Sequence, residues 1–147
     1  MSKKDSWKNK YGVVKNGVLK SFTVYEDKWD TGNVGVLSGD RGRCCIGFLA
    51  LACGVEEKEI IEKAIVNDLK EEDQLKCLEE EELQTGDGFE FAYEVNDMAE
   101  GSGIRILGGR YLGSKKKMTQ PLRKKLLKDF FKKEFNVNVV FKPKEPK

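Results

Sequence analysis

The chain has 147 residues, 39% hydrophobic and 35% charged, with a formal net charge of +2. That length suits one globular domain over 1–147, with a frayed N-terminus (about 1–9) and a C-terminal tail (about 142–147). No apolar run approaches the ~20 residues of a membrane span, and Met1-Ser-Lys-Lys-Asp5 does not read as a signal peptide. A soluble cytoplasmic protein without a membrane partner is the expectation, and its four cysteines, Cys44, Cys45, Cys53 and Cys77, are then expected as reduced thiols.

The small net charge conceals a division along the chain. Residues 1–53 hold nine basic and five acidic side chains, residues 54–101 four and seventeen, and residues 102–147 fourteen and three. An acidic middle is followed by a basic end. The two can pair with each other or present separate faces to partners.

In chain order, Tyr11 to Val14 and Val18 to Tyr25 read as strands around Asn16-Gly17, a dipeptide suited to the positive φ of a type I′ turn. Asn33 to Leu37 is a third short strand candidate. Ser38-Gly-Asp-Arg-Gly42 is a turn leading into Arg43 to Gly54, which beyond Arg43 holds the longest uncharged run of the chain. Ala and Leu content and the terminal Gly54 favour a helix there. Its apolar residues fall on all faces, which predicts burial on most sides. Phe48, Leu49 and Leu51 are core candidates with Cys44 and Cys45, alongside Leu126 and Phe130.

Glu56 to Val66 has Ile60, Ile61, Ala64 and Ile65 at helical spacing, with acids in the first turn where the macrodipole favours them. Asp73 to Leu83 is a weaker helical pattern beside Glu79 to Glu82. Phe89 to Ala99 resumes one. Ile104 to Leu107 and Arg110 to Leu112 form a second hairpin candidate. Thr119 and Pro121 open a helix whose apolar stripe is Leu122, Leu126, Leu127, Phe130, Phe131 and Phe135. Asn136 ends it, and Val137 to Phe141 is a last strand. The predicted fold class is α+β, a small antiparallel sheet packed against several helices around a buried central helix.

Few residues could carry chemistry. With no histidine, a Ser-His-Asp triad, a Cys-His pair and a histidine metal site are all excluded. The cysteines lack any Cys-x-x-Cys pair, so buried thiols are favoured over zinc, and no metal or other cofactor is expected. Carboxylates such as Asp40 and Asp97 show no spacing that points to hydrolysis. A glycine-bearing turn at a helix start can hold an anion or nucleotide, here through Ser38, Gly39, Arg41, Gly42 and Arg43. It is not a Walker loop. Its alternative is a tight turn whose arginines pair with the acidic segment. Lys115, Lys116 and Lys117, with Arg123, Lys124, Lys125, Lys128 and Lys132 on the outer face of the last helix, can meet phosphates or a protein partner, or form an ordinary solvated face.

Gly32-Asn-Val-Gly-Val-Leu37 followed by Arg43-Cys-Cys-Ile-Gly-Phe-Leu-Ala-Leu-Ala-Cys-Gly54 resembles a motif of small uncharacterised tailed-bacteriophage proteins. That group has a Cys-Cys-Leu-Gly-Val-Leu-like helix and a later Leu-Asn-Asp element, which Val95-Asn96-Asp97 matches. The match covers about half the chain. The resemblance implies a phage accessory protein acting without catalysis in the host cytoplasm. Such a protein would counter antiviral defence by anti-CRISPR-like inhibition of a host protein or by sequestering a signalling nucleotide. The alternative is a nucleic-acid-binding module using the basic helix. Homo-oligomers are compatible with either.

Overall fold

The computed structural model describes residues 6–31, 38–39, 42–61, 90–98, 101, 103–107 and 110–146. In chain order it contains β1 (Trp7–Asn9), β2 (Gly12–Lys15), β3 (Val18–Tyr25) and a 3-10 turn at Glu26–Lys28. Two short strands follow, β4 (Ser38–Gly39) and β5 (Gly42–Arg43), and then α1 (Cys45–Ala52), α2 (Glu57–Ile60) and α3 (Glu90–Asp97). The hairpin β6 (Gly103–Leu107) and β7 (Arg110–Lys117), α4 (Gln120–Phe135) and β8 (Asn138–Lys142) complete the chain. The fold is α+β. The strand expected at Asn33 to Leu37, the helix at Asp73 to Leu83 and the second half of that at Glu56 to Val66 lie outside the described residues.

Asn16 and Gly17 both take positive φ, 54° and 78°, and turn β2 back onto β3 as their chemistry demands. The principal sheet runs β1-β2-β3-β8. It is mixed, because β8 lies parallel to β3, pairing Phe22 with Val139 and Val24 with Phe141. The antiparallel sheet expected from the sequence is present in β1-β2-β3, and β8 departs from it as a parallel neighbour. Hairpin signals are local, whereas a parallel neighbour arrives by a crossover, and α4 precedes β8 directly. Residues 7–9 are not frayed either. They form the edge strand β1, anchored by Trp7 Nε1 donating to the Ala52 carbonyl (3.2 Å) and Asn9 Nδ2 to that of Leu51 (3.4 Å).

Helices α1 and α4 lie on one face of this sheet. Gly12 and Phe22 are register partners and share that face. A Cβ on Gly12 would stand 2.7 Å from the Cβ of Ala52 in α1, while the Phe22 ring meets Phe131 of α4 edge-on at 5.1 Å. Every residue of α1 is buried, and each large apolar side chain there gains roughly 1.5–3 kcal/mol from leaving water. In α4, Thr119 Oγ1 accepts from the Leu122 amide at 3.3 Å, Pro121 sits in the first turn, and Asn136 closes the helix in the left-handed region.

The buried face of α4 differs from the expected stripe. It consists of Arg123, Leu127, Phe130, Phe131 and Phe135, with Leu122 and Leu126 only half-buried. Positions 123, 127, 130 and 131 follow i, i+4, i+7 and i+8, so Arg123 extends the aromatic row by one turn. The cysteines also divide. Cys44 and Cys45 are buried free thiols, whereas Cys53 is disulfide-bonded. This corrects the expectation of four reduced thiols. Among the described residues no helix is long and apolar enough to cross a membrane.

The C-terminal residues do not form a free tail. The Asp27 amide donates to the Pro143 carbonyl at 3.1 Å, and the Glu145 amide donates to Asp27 Oδ1 at 3.0 Å. Pro143 and Pro146 limit the conformations that the segment must give up to dock.

Candidate functional site

The Ser38–Arg43 turn is a minimal hairpin, with Ser38 paired to Arg43 and Gly39 to Gly42. Arg41 lies outside the described residues. Gly42, at φ +131°, presses on the Lys28 backbone so closely that a Cβ would meet the Lys28 carbonyl carbon at 2.9 Å. Gly42 is therefore where two backbone segments pack closely together. Arg43 is bridged to Trp29, and its carbonyl accepts from the Asp30 amide at 2.9 Å.

The Arg43 side chain is 9% exposed and points inward. Its Nη1 donates to Glu145 Oε1 and its Nη2 to Glu57 Oε2, both at 2.6 Å. The guanidinium also packs against the rings of Tyr11 and Phe48, 5.5 and 5.4 Å from their centroids. Burial would lower its pKa, but the hydrogen bonds to Glu57 and Glu145 reverse that, and the net shift is upward. Arg43 is therefore engaged by carboxylates of this chain, one of them from the acidic segment, and does not stand open toward an anion at the Ser38–Arg43 turn.

The N-terminus of α1 is likewise occupied. The Cys45 amide donates to Asn96 Oδ1 at 2.8 Å, and that same oxygen accepts Trp29 Nε1–H at 2.7 Å. Asn96 Nδ2 donates to the Asp30 carbonyl and to Asp97 Oδ1, both at 3.0 Å. Cys44-Cys45 and Asn96-Asp97, far apart in the sequence, thus meet in space. Burial pushes the Cys44 thiol up to about 12 against the opposing pull of the Gly47 and Ile46 amides, and it raises Cys45 well above the usual thiol value. Neither sulfur is a nucleophile at neutral pH.

The basic C-terminal residues separate into three groups. Arg123 is buried, donating from Nη1 to the carbonyls of Val95 (2.6 Å) and Asn96 (2.8 Å) and from Nε to Gln120 Oε1 (2.9 Å). It places a cation on the negative end of α3 and does not belong to the outer face, which corrects its expected position. Lys124 forms an ion pair with Glu26 and lies over the Phe141 ring. Lys125, Lys128 and Lys132 are exposed along one row of α4, with Lys117 exposed just ahead of the helix. Among the described residues no carboxylate pairs with these four lysines. Lys115 and Lys116 lie in β7, where only the backbone is described.

A groove of about 370 Å³ opens between the β1–β2 turn and the end of α1, lined in part by Lys10, Tyr11, Val55 and Glu57. No group of three or more potential metal ligands occurs among the described residues. No protein-family model, curated protein or solved structure matches this chain.

Sequence reasoning missed Glu145, Glu57 and the capping role of Asn96. Only Arg123 left a signal, its position one turn before Leu127 on the apolar row.

Proposed function

We propose that this chain is a non-enzymatic binding protein that counters a bacterial antiviral defence by occluding a host protein, with the outer face of α4 as its contact surface. The observation that carries this reading is the row Lys125, Lys128 and Lys132, exposed and without carboxylate partners among the described residues, although Lys128 lies over the edge-strand ring of Phe141, while Arg43 and Arg123 are used inside the fold and Lys124 pairs with Glu26. The row spans about 10 Å of helix. Exposed Asp129 lies within it. A uniform polyanion is repelled by that carboxylate, whereas a protein surface can be patterned to match three cations and an anion. The occupied N-terminus of α1 and the committed Arg43 remove support from a nucleotide held at Ser38 to Arg43. The phage setting rests on the sequence resemblance alone.

The test is phage plating on bacteria that carry a defence system and express either the wild-type chain or Lys125→Glu/Lys128→Glu/Lys132→Glu. Wild type should raise plaque counts at least tenfold against the susceptible defence, and the triple variant should lose that effect. In parallel, duplex DNA and single-stranded RNA are titrated across a salt series. Sub-micromolar, salt-steep binding at physiological salt would replace this reading with nucleic-acid recognition.

A further inference from the structure

The docked C-terminal segment has the form of a ligand seated in a receptor. Glu145 lies between Pro143 and Pro146 in the sequence, and its carboxylate is read by two cations, Arg43 Nη1 at 2.6 Å and Lys10 Nζ at 3.4 Å. Lys10 Nζ also reaches the Pro146 carbonyl at 3.5 Å, and the Glu145 amide is held by Asp27 Oδ1. The floor of the site is aromatic: Tyr11 stacks beneath Arg43 and Lys10 and packs against Tyr25 and Phe48. The Tyr25 hydroxyl donates to the Lys10 carbonyl and fixes the strand turn that carries the second cation. The parts of the receptor come from the β1–β2 turn, the end of β3, the 3-10 turn, β5 and α1, so it stands on the fold and not on the segment it holds.

Two further features set this arrangement apart from a simple ion pair. Arg43 Nε is buried without a hydrogen-bond partner, so the guanidinium retains a donor that Glu145 and Glu57 leave unmet. The groove that opens beside the site shares Lys10, Tyr11 and Glu57 with it, giving an extended chain a path into the receptor. Within the occupant, Pro143, Lys144 and Pro146 are exposed. It can leave without unpairing β8, which ends at Lys142.

We propose that Arg43, Lys10, Asp27 and the Tyr11 ring form a peptide-carboxylate receptor that reads a proline-flanked glutamate. The receptor is filled in cis by Glu145 and can take the C-terminal segment of a second copy in trans. Reciprocal exchange of these segments gives a two-fold symmetric pair in which each copy supplies the ligand for the other. The inference does not depend on the lysine face of α4.

The experiment uses the full-length chain carrying Glu145→Gln, which keeps the receptor and disables its internal ligand. The probe is a fluorescent peptide with the sequence of residues 142–147, Lys-Pro-Lys-Glu-Pro-Lys, together with its Gln counterpart. The variant should bind the Glu peptide at least tenfold more tightly than wild type does, because wild type must first release its own Glu145. The Gln peptide should bind at least tenfold more weakly than the Glu peptide. If the folded variant binds no peptide, or binds Glu and Gln peptides alike, the receptor does not exist. Circular dichroism confirms folding. Should Glu145→Gln unfold, Glu145→Asp, which keeps the charge but shortens its reach, is titrated in its place under the same criteria. A Glu-peptide affinity equal in variant and wild type would also overturn the proposal, since it would place the peptide elsewhere.

Discussion

The side-chain oxygen of Asn96 stands 2.8 Å from the Cys45 amide, so the last turn of α3 caps the first turn of α1. The cap that Cys44, the residue at the N-cap position, cannot supply with an oxygen is provided from a distant part of the chain. Arg123 in turn donates to the backbone carbonyl of Asn96, and α4, α3 and α1 are joined end to side by two polar residues.

Asn96→Ala removes the acceptor for two buried donors, Trp29 Nε1 and the Cys45 amide. At about 1–3 kcal/mol per buried unsatisfied group, partly offset by relaxation, the expected loss is about 2–4 kcal/mol. Urea denaturation followed by Trp fluorescence measures it. A loss below about 1 kcal/mol would show that the cap is dispensable.

Basic residues on α4 should divide sharply in their effect on stability. Arg123→Met leaves the Val95 and Asn96 carbonyls without this donor and should cost about 2–4 kcal/mol. Lys125→Glu should stay within about 0.5 kcal/mol of wild type, because its side chain is exposed, and Lys128→Glu and Lys132→Glu within about 1 kcal/mol, because they also give up a contact over the Phe141 ring and a cation at the helix C-terminus. Matched chemical melts of the four variants settle the comparison.

Thiol chemistry gives a third expectation. Native protein at pH 8 should resist iodoacetamide at Cys44 and Cys45. Denaturation without reductant should expose both to labelling and leave Cys53 protected by its disulfide. Stability should also fall as pH rises from the ordinary thiol value of 9.0 toward about 12, because the unfolded chain releases a proton that folded Cys44 retains. The loss is on the order of 1 kcal/mol per pH unit. Comparing the pH dependence of wild type with that of Cys44→Ala isolates this contribution from other groups titrating in the same range.

The centre of the core is tested by Leu49→Ala, expected to cost about 2–5 kcal/mol through lost burial and the cavity left behind. Gly12→Ala approaches the same contact from the sheet side, driving a methyl to 2.7 Å from Ala52 Cβ, and should destabilise through overpacking. Thermal melts of both variants should show lowered Tm.

These residues also show what a sequence makes visible. Asn16-Gly17, the Thr119 and Pro121 helix start, the Asn136 stop and the all-apolar run at α1 act over a few positions, and each formed the element its chemistry predicts. Glu145 beside Arg43, Asn96 beside Cys45 and β8 beside β3 depend on contacts between distant positions, and local pattern is silent about those. Charge type was equally uninformative about burial. Arg123 and Lys125 look alike in a list of basic residues, yet only Arg123 faces the open carbonyls at the end of α3.

The parallel pairing of β8 with β3 carries a consequence for how the protein is made. The strand that completes the sheet beside Val18–Tyr25 is Asn138–Lys142, which leaves the ribosome long after β3 does. During synthesis the first hairpin can form alone, but its β3 side presents unpaired backbone groups until β8 has emerged. Contacts between positions so far apart in sequence also form slowly, because a long loop must close first. The nascent protein therefore passes through an interval in which a long apolar strand edge is open to other chains, and any truncation before Asn138 makes that interval permanent.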